Sequence, residues 1–91
     1  MSKRVEFERS YLSDIKKMTK RGFDKDALDR IVELLESDEK LPVRCRPHKL
    51  VGKYNGLWEC HVRHDLLLIW QETEDLIILL RLGNHVEIFG K

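Results

Sequence analysis

Long apolar runs are missing from this sequence. None exceeds the length of Leu66–Trp70, far short of the roughly 20 residues that a bilayer-spanning helix needs. The opening residues Met1-Ser2-Lys3-Arg4-Val5-Glu6 lack the apolar core of a secretion signal. A cytoplasmic protein with no membrane partner is the expectation. Cysteine is also scarce: Cys45 and Cys60 are the two present, and neither belongs to a C-x-x-C pair. That argues against a disulfide framework and a structural zinc site. Two prolines and five glycines, with no repeat and no low-complexity segment, exclude fibrous and linker-like classes. Net charge is nearly absent as well, at +1, which excludes a protein that coats nucleic acid by bulk charge.

What is present is a chain of 91 residues, 36% charged and 42% hydrophobic, enough for one domain with one modest core. The small net charge conceals segregation. Residues 40–56 carry five Lys/Arg and no acid, between an acidic segment, 24–39, and a second one, 57–91. A local phosphate-binding patch or a solvated basic loop both fit this pattern.

Val5 and Phe7 alternate with charged residues as in a short strand. Tyr11, Leu12, Ile15 and Met18 then recur at helical spacing, with Ser10 as a candidate cap and Gly22 as a candidate stop. Asp24 is placed to cap a second helix whose apolar face is Ala27, Leu28, Ile31, Val32, Leu34 and Leu35. From Ser37 to Asn55 the sequence predicts a long irregular connection containing Arg44, Arg46, His48, Lys49 and Lys53; loops of this length in compact domains are usually functional.

Trp58–Arg63 alternates, with Trp58, Cys60 and Val62 on a buried face and Glu59, His61 and Arg63 on a wet one. Arg63-His64-Asp65 turns the chain into Leu66–Trp70, and Leu76–Leu82 is a last long strand. The order predicts an α+β domain: an N-terminal strand, an antiparallel helix pair on one face of the sheet, and a three-stranded antiparallel meander. The other face is expected to be free, with His61 and Arg63 pointing to it. Cys60 reads as a small core residue; Trp58 reads as a core aromatic rather than a base-stacking platform.

Three of the four histidines fall at comparable places: His48 before the hairpin, His61 near a strand end, His85 after the last strand. Asp65 at the hairpin turn and Arg81 late in the last strand join them. Histidine exchanges protons near neutral pH, and an arginine beside it can stabilise charge that develops on a phosphorane oxygen. Histidine spacings of 13 and 24 with one aspartate match no common metal-ligand pattern, so no metal and no cofactor are expected.

His48-x-Leu50-x-Gly52, Glu59-Cys60-His61-Val62-x-x-Asp65-x-Leu67-Leu68-Ile69 and Leu80-Arg81-x-Gly83-x-His85-x-x-Ile88-Phe89 together resemble the YafQ branch of the RelE/ParE toxin superfamily. The resemblance covers essentially all of residues 1–91 as a single domain. It implies a metal-independent endoribonuclease of a toxin–antitoxin system, cutting mRNA in the ribosomal A site and neutralised by a cognate antitoxin. The residues that carry activity there match His48, His61, Asp65, His85 and Phe89. Attack of the ribose 2′-hydroxyl on phosphorus needs a base, an acid and cations. Asp65 with His61 or His48 is expected to serve as base or orienting pair, and His85 as acid. Arg81, Arg46 and Lys49 are expected to hold phosphate, with Lys53 and Arg63 as further substrate contacts and Phe89 stacking on a base. Leu66, Trp58 and Leu82 depart from the family pattern. The alternative is a catalytically weakened or inactive relative that acts through antitoxin or other partner contacts; a ParE-like action on gyrase is a further one.

Overall fold

In a computed structural model, which describes residues 2–90, the chain forms a five-stranded mixed sheet with order β1-β5-β4-β3-β2. Met1 and Lys91, the ends of the expected domain, lie outside the described residues. The strands are β1 (Arg4–Phe7), β2 (His48–Lys49), β3 (Trp58–Arg63), β4 (Leu66–Glu72) and β5 (Leu76–Gly83). The helices are α1 (Arg9–Arg21), α2 (Lys25–Glu36) and the short α3 (His85–Phe89). β3, β4 and β5 make the expected antiparallel meander, and β1 joins β5 in parallel. None of the helices is long and apolar enough to cross a membrane.

Both long helices lie on one face of the sheet, as their apolar stripes predict. Tyr11 and Met18 of α1 and Leu28, Ile31 and Leu35 of α2 pack with Cys60, Val62, Leu68, Trp70, Ile77, Leu79 and Leu82. Gly22 ends α1 at φ 78°, a left-handed position that glycine adopts without steric cost. The Asp24 carboxylate caps α2 by accepting from the Ala27 N–H. Ser10 does not cap α1: Glu8 holds that position, and the Ser10 hydroxyl donates to the Leu80 carbonyl at 2.7 Å. That carbonyl needs a partner because β1 pairs with β5 only as far as Leu79.

The second face is not free. Leu67, Ile69 and Ile88 are buried there, with Leu50, Leu57, Leu80 and Phe89 packed around them. The expected irregular connection supplies part of this cover. It contains two single 3₁₀ turns, Val43–Cys45 and Gly52–Tyr54, and the two-residue edge strand β2. α3 supplies the rest through Ile88. A small second core thus underlies the surface that carries the histidines, and makes it rigid.

Candidate active site on the second sheet face

Cross-strand register places the titratable residues in rows. His48 lies opposite Glu59, Glu59 opposite Ile69, and Ile69 opposite Arg81. Residues directly opposite share a face of the sheet, so this row crosses four strands, about 14 Å at the usual ~4.8 Å strand separation. The adjacent row runs from His61 through Leu67 to Gly83, and His85 follows two residues later. The meander therefore brings together His48, His61, Arg81 and His85, far apart in sequence.

His85 is the first helical residue of α3. A capping box fixes that helix: the Asn84 side chain accepts from the Glu87 N–H at 2.8 Å, and the Glu87 carboxylate accepts from the Asn84 N–H at 3.1 Å. The backbone bond from Asn84, with Arg21 also close, holds the Glu87 carboxyl below its usual pKa. Gly83 precedes the turn closely packed: a Cβ there would meet the Glu87 carboxylate oxygen at 3.3 Å, and the capping-box carboxylate would have to shift to admit it. Asn84→Ala is expected to cost about 1 kcal/mol of stability and to loosen His85. Urea melts of the two chains measure the first effect, and the His85 ring resonance linewidth measures the second.

The His85 Nδ1 lies 3.6 Å from an Asp65 carboxylate oxygen, so the hairpin turn and α3 present an imidazole–carboxylate pair. Both are more than half exposed. The Phe89 ring packs 5.6 Å from the His85 ring on one side and edge-on to Tyr54, at 5.1 Å, on the other. Tyr54 was not anticipated from sequence. It reaches the site because the Gly52–Tyr54 turn folds back over the sheet.

His48 and His61 are held differently. Carbonyl oxygens only accept, so the 2.7 Å contact from His48 Nδ1 to the Arg46 carbonyl places a proton on that nitrogen. His48 Nε2 faces the Glu59 carboxylate at 3.3 Å, so both ring nitrogens are engaged. Glu59, expected on a wet face, is buried at 4% exposure. In His61, Nδ1 donates to the His64 carbonyl at 3.1 Å, and the lone pair of the neutral ring is left on Nε2.

Arg81 is half-buried. It donates to Asp14 of α1 through Nε at 2.7 Å and Nη2 at 3.4 Å. That bond raises the guanidinium pKa above its ordinary value. Arg46 is exposed and adopts a left-handed backbone, φ 50°; its contribution to the geometry is the carbonyl that anchors His48. The Lys53 ammonium sits 5.8 Å from the centroid of the Tyr54 ring, beside Phe89.

Two expected substrate contacts are elsewhere. Lys49 follows His48 in a strand and therefore faces the opposite way, where it lies 5.6 Å over the ring of Trp58. Trp58 itself is half-buried and stacks on Trp70 at 6.1 Å. Arg63 was expected beside His61. Instead Val62 and Arg63 together oppose Leu66, a bulge that turns Arg63 to the helix face. There it pairs with Asp24, whose carboxyl it holds below its usual pKa. A cleft of about 530 Å³ is on that helix side, lined among others by Ala27, Arg30, Pro42 and Arg44. Its rim reaches His61 and His64 at the end of β3, whereas the His85–Asp65 and His48–Glu59 pairs lie outside it. Cys45 and Cys60 are free and buried, and burial pushes the Cys60 thiol pKa up, which suits a core residue. Among the described residues no cluster of three or more His, Cys, Asp or Glu is placed to hold a metal ion.

Known proteins resemble the chain in sequence and in overall fold. A family model described as bacterial toxin of type II toxin–antitoxin system, YafQ, matches residues 3–90. The mRNA interferase toxin YafQ of Escherichia coli is 32% identical over 87 residues, 94% of this chain and 95% of that one. The crystal structure of the E. coli DinJ–YafQ toxin–antitoxin complex superposes with a TM-score of 0.91 at 31% identity, covering 99% of this chain and all of that one. A metal-bound toxin from Helicobacter pylori gives a TM-score of 0.89 at 34% identity, covering 98% of this chain and all of that one. With a strand–helix–helix–meander fold and a family match over nearly its whole length, the chain belongs to the YafQ family of bacterial type II toxins.

Proposed function

We propose that this chain is an mRNA endoribonuclease that cuts by attack of the ribose 2′-hydroxyl on the adjacent phosphorus. The name of its E. coli relative, mRNA interferase, supports the substrate. The observation that carries the reading is the His85–Asp65 pair at 3.6 Å beside the Phe89 ring, on the face that also carries His61 and His48.

The ring contacts divide the work. His61 has its Nε2 lone pair available because Nδ1 is committed to the His64 carbonyl, so His61 is the base that takes the 2′-hydroxyl proton. His85, whose Nδ1 side faces Asp65 at 3.6 Å, delivers a proton to the departing 5′-oxygen from Nε2. The bond from the 2′-oxygen to phosphorus forms as the bond to the 5′-oxygen breaks, leaving a 2′,3′-cyclic phosphate and a 5′-hydroxyl. Charge on the non-bridging oxygens falls to Arg81, while His48, held between the Arg46 carbonyl and Glu59, stands in the same cross-strand row. Phe89, held edge-on by Tyr54, offers a face for a base next to the cut, and Lys53 and Arg46 are exposed cations for flanking phosphates. This face is open rather than a deep pocket, which suits a substrate presented by a larger body, the ribosomal A site. A cognate antitoxin is its protein partner, by analogy with the E. coli complex of DinJ and YafQ.

End-group analysis tests the chemistry. Cleavage should leave a 2′,3′-cyclic phosphate and should stop when the nucleotide 5′ to the cut carries a 2′-deoxyribose. A 3′-hydroxyl product, or cutting of the deoxy-substituted site, would refute internal attack and point to an activated water instead.

A further inference from the structure

Asp14 is one of two buried charged residues among those described, at 6% exposure, and it lies on α1, outside the residues that face substrate. Its role follows from the edge of β5. Beyond Leu79 that strand has no β1 partner, and α1 takes over. Ser10 donates to the Leu80 carbonyl and Asp14 accepts from the Leu82 N–H at 2.9 Å. Four residues of helix rise about 6 Å and two residues of strand about 6.8 Å, so positions i and i+4 of the helix match alternate groups of the strand.

Accepting one N–H does not require a charge; a serine or asparagine oxygen would serve, without the desolvation cost of a buried carboxylate. The charge matches Arg81. Both Asp14 oxygens engage the guanidinium, Oδ2 at Nε and Oδ1 at Nη2, the forked geometry that fixes a guanidinium in plane and in direction. Arg81 sits where β5 bulges: Ile69 pairs with Arg81 and Trp70 with Leu79, so Leu80 and Arg81 together oppose Ile69. The bulge aims Arg81, and Asp14 then clamps one edge of it. The Nη1 edge is left for an outside oxyanion.

We propose that Asp14 is a positioning residue for RNA cleavage, holding Arg81 oriented toward the phosphate. This rests on the endoribonuclease reading above. Asp14→Asn keeps an oxygen for the Leu82 N–H but sets an amide N–H₂ against Nη2. Single-turnover cleavage of a ribosome-bound mRNA, with toxin concentration varied, separates the saturating rate from half-saturation. Asp14→Asn is expected to lower the saturating rate about tenfold with little change in half-saturation. In an Arg81→Ala background the same substitution is expected to have no further effect on the rate. Ser10→Ala removes the neighbouring edge bond without touching Arg81; it should lower thermal stability and leave the rate at the wild-type level. An equal slowing by Asp14→Asn in both backgrounds, a wild-type rate for Asp14→Asn or for Arg81→Ala, or a Ser10→Ala variant as slow as Asp14→Asn would each overturn the proposal. If the wild-type chain makes no cuts, the endoribonuclease reading itself fails.

Discussion

Replacing His85 by alanine is expected to slow mRNA cleavage by about 10²–10⁴-fold, the range typical for loss of a positioned general acid. Melting temperature should stay within about 2 °C, a stability change of a few tenths of a kcal/mol for a domain of this size. The two halves of this expectation have separate causes. The His85 ring is 53% exposed and its one polar contact is Asp65, so the fold loses little with it. α3 is anchored by the Asn84–Glu87 capping box and by buried Ile88, neither of which needs the imidazole. Asp65→Ala should slow the reaction less, because it removes the partner of the acid and leaves the acid. Cleavage rates with thermal melts on the same samples check both. A His85→Ala chain that folds and cuts at the wild-type rate would remove His85 from the chemistry.

The largest stability effect belongs to the other face. Trp70→Ala is expected to destabilise the chain by about 3–5 kcal/mol, a large part of the roughly 5–15 kcal/mol typical of a domain. Trp70 is 1% exposed in the central strand β4, under the helix layer. It stacks on Trp58 with planes 12° apart, and its indole N–H donates to Glu72 at 3.1 Å. Truncation removes the ring, leaves a cavity that the paired strands on both sides keep open, and strips Trp58 of its partner. Trp70→Phe keeps most of the packing and loses the N–H bond, so a loss of about 1–2 kcal/mol is expected. Urea unfolding followed by far-UV circular dichroism measures both. A loss below about 1.5 kcal/mol for the alanine variant would mean that the helices close over the gap.

How much of this was legible in the sequence differs element by element. The meander and the helix pair were, because the helices repeat at 3.6, Trp58–Arg63 alternates, Leu66–Trp70 and Leu76–Leu80 are unbroken apolar runs set apart by polar turns, and Gly22 and Asp24 punctuate the helices. β2 was not. Two residues between Pro47 and a second turn carry no period, and their pairing depends on β3. Missing β2 also misplaced Lys49, since alternation in a strand is what turns it away from His48. Arg63 was misplaced by a bulge, which depends on register and leaves no local mark. α3 is too short for a periodic signal, although Asn84-x-x-Glu87 is a capping-box pattern that could have been read.

The functional residues divide in the same way. His48, His61, Asp65, Arg81, His85 and Phe89, the residues proposed to act on RNA, were named from their chemical types and family spacing. Their supports Glu59, Tyr54 and Asp14 were not, because a supporting side chain is defined by what it touches. Glu59 alternates with His61 and was visible on that face; its burial depends on the turn Gly52–Tyr54 and on β2. The Asp65–His85 pair depends on Leu67 lying opposite Gly83, a relation between strands that no stretch of sequence carries.

The most direct test of the account is primer-extension mapping of an mRNA under translation with the purified chain, beside the same RNA free of ribosomes. Discrete cuts positioned in the A site, weak or absent on free RNA and lost with His85→Ala, are the expected result. A folded wild-type chain that produces no cuts with or without ribosomes would contradict it, as would cuts that persist unchanged in the His85→Ala variant.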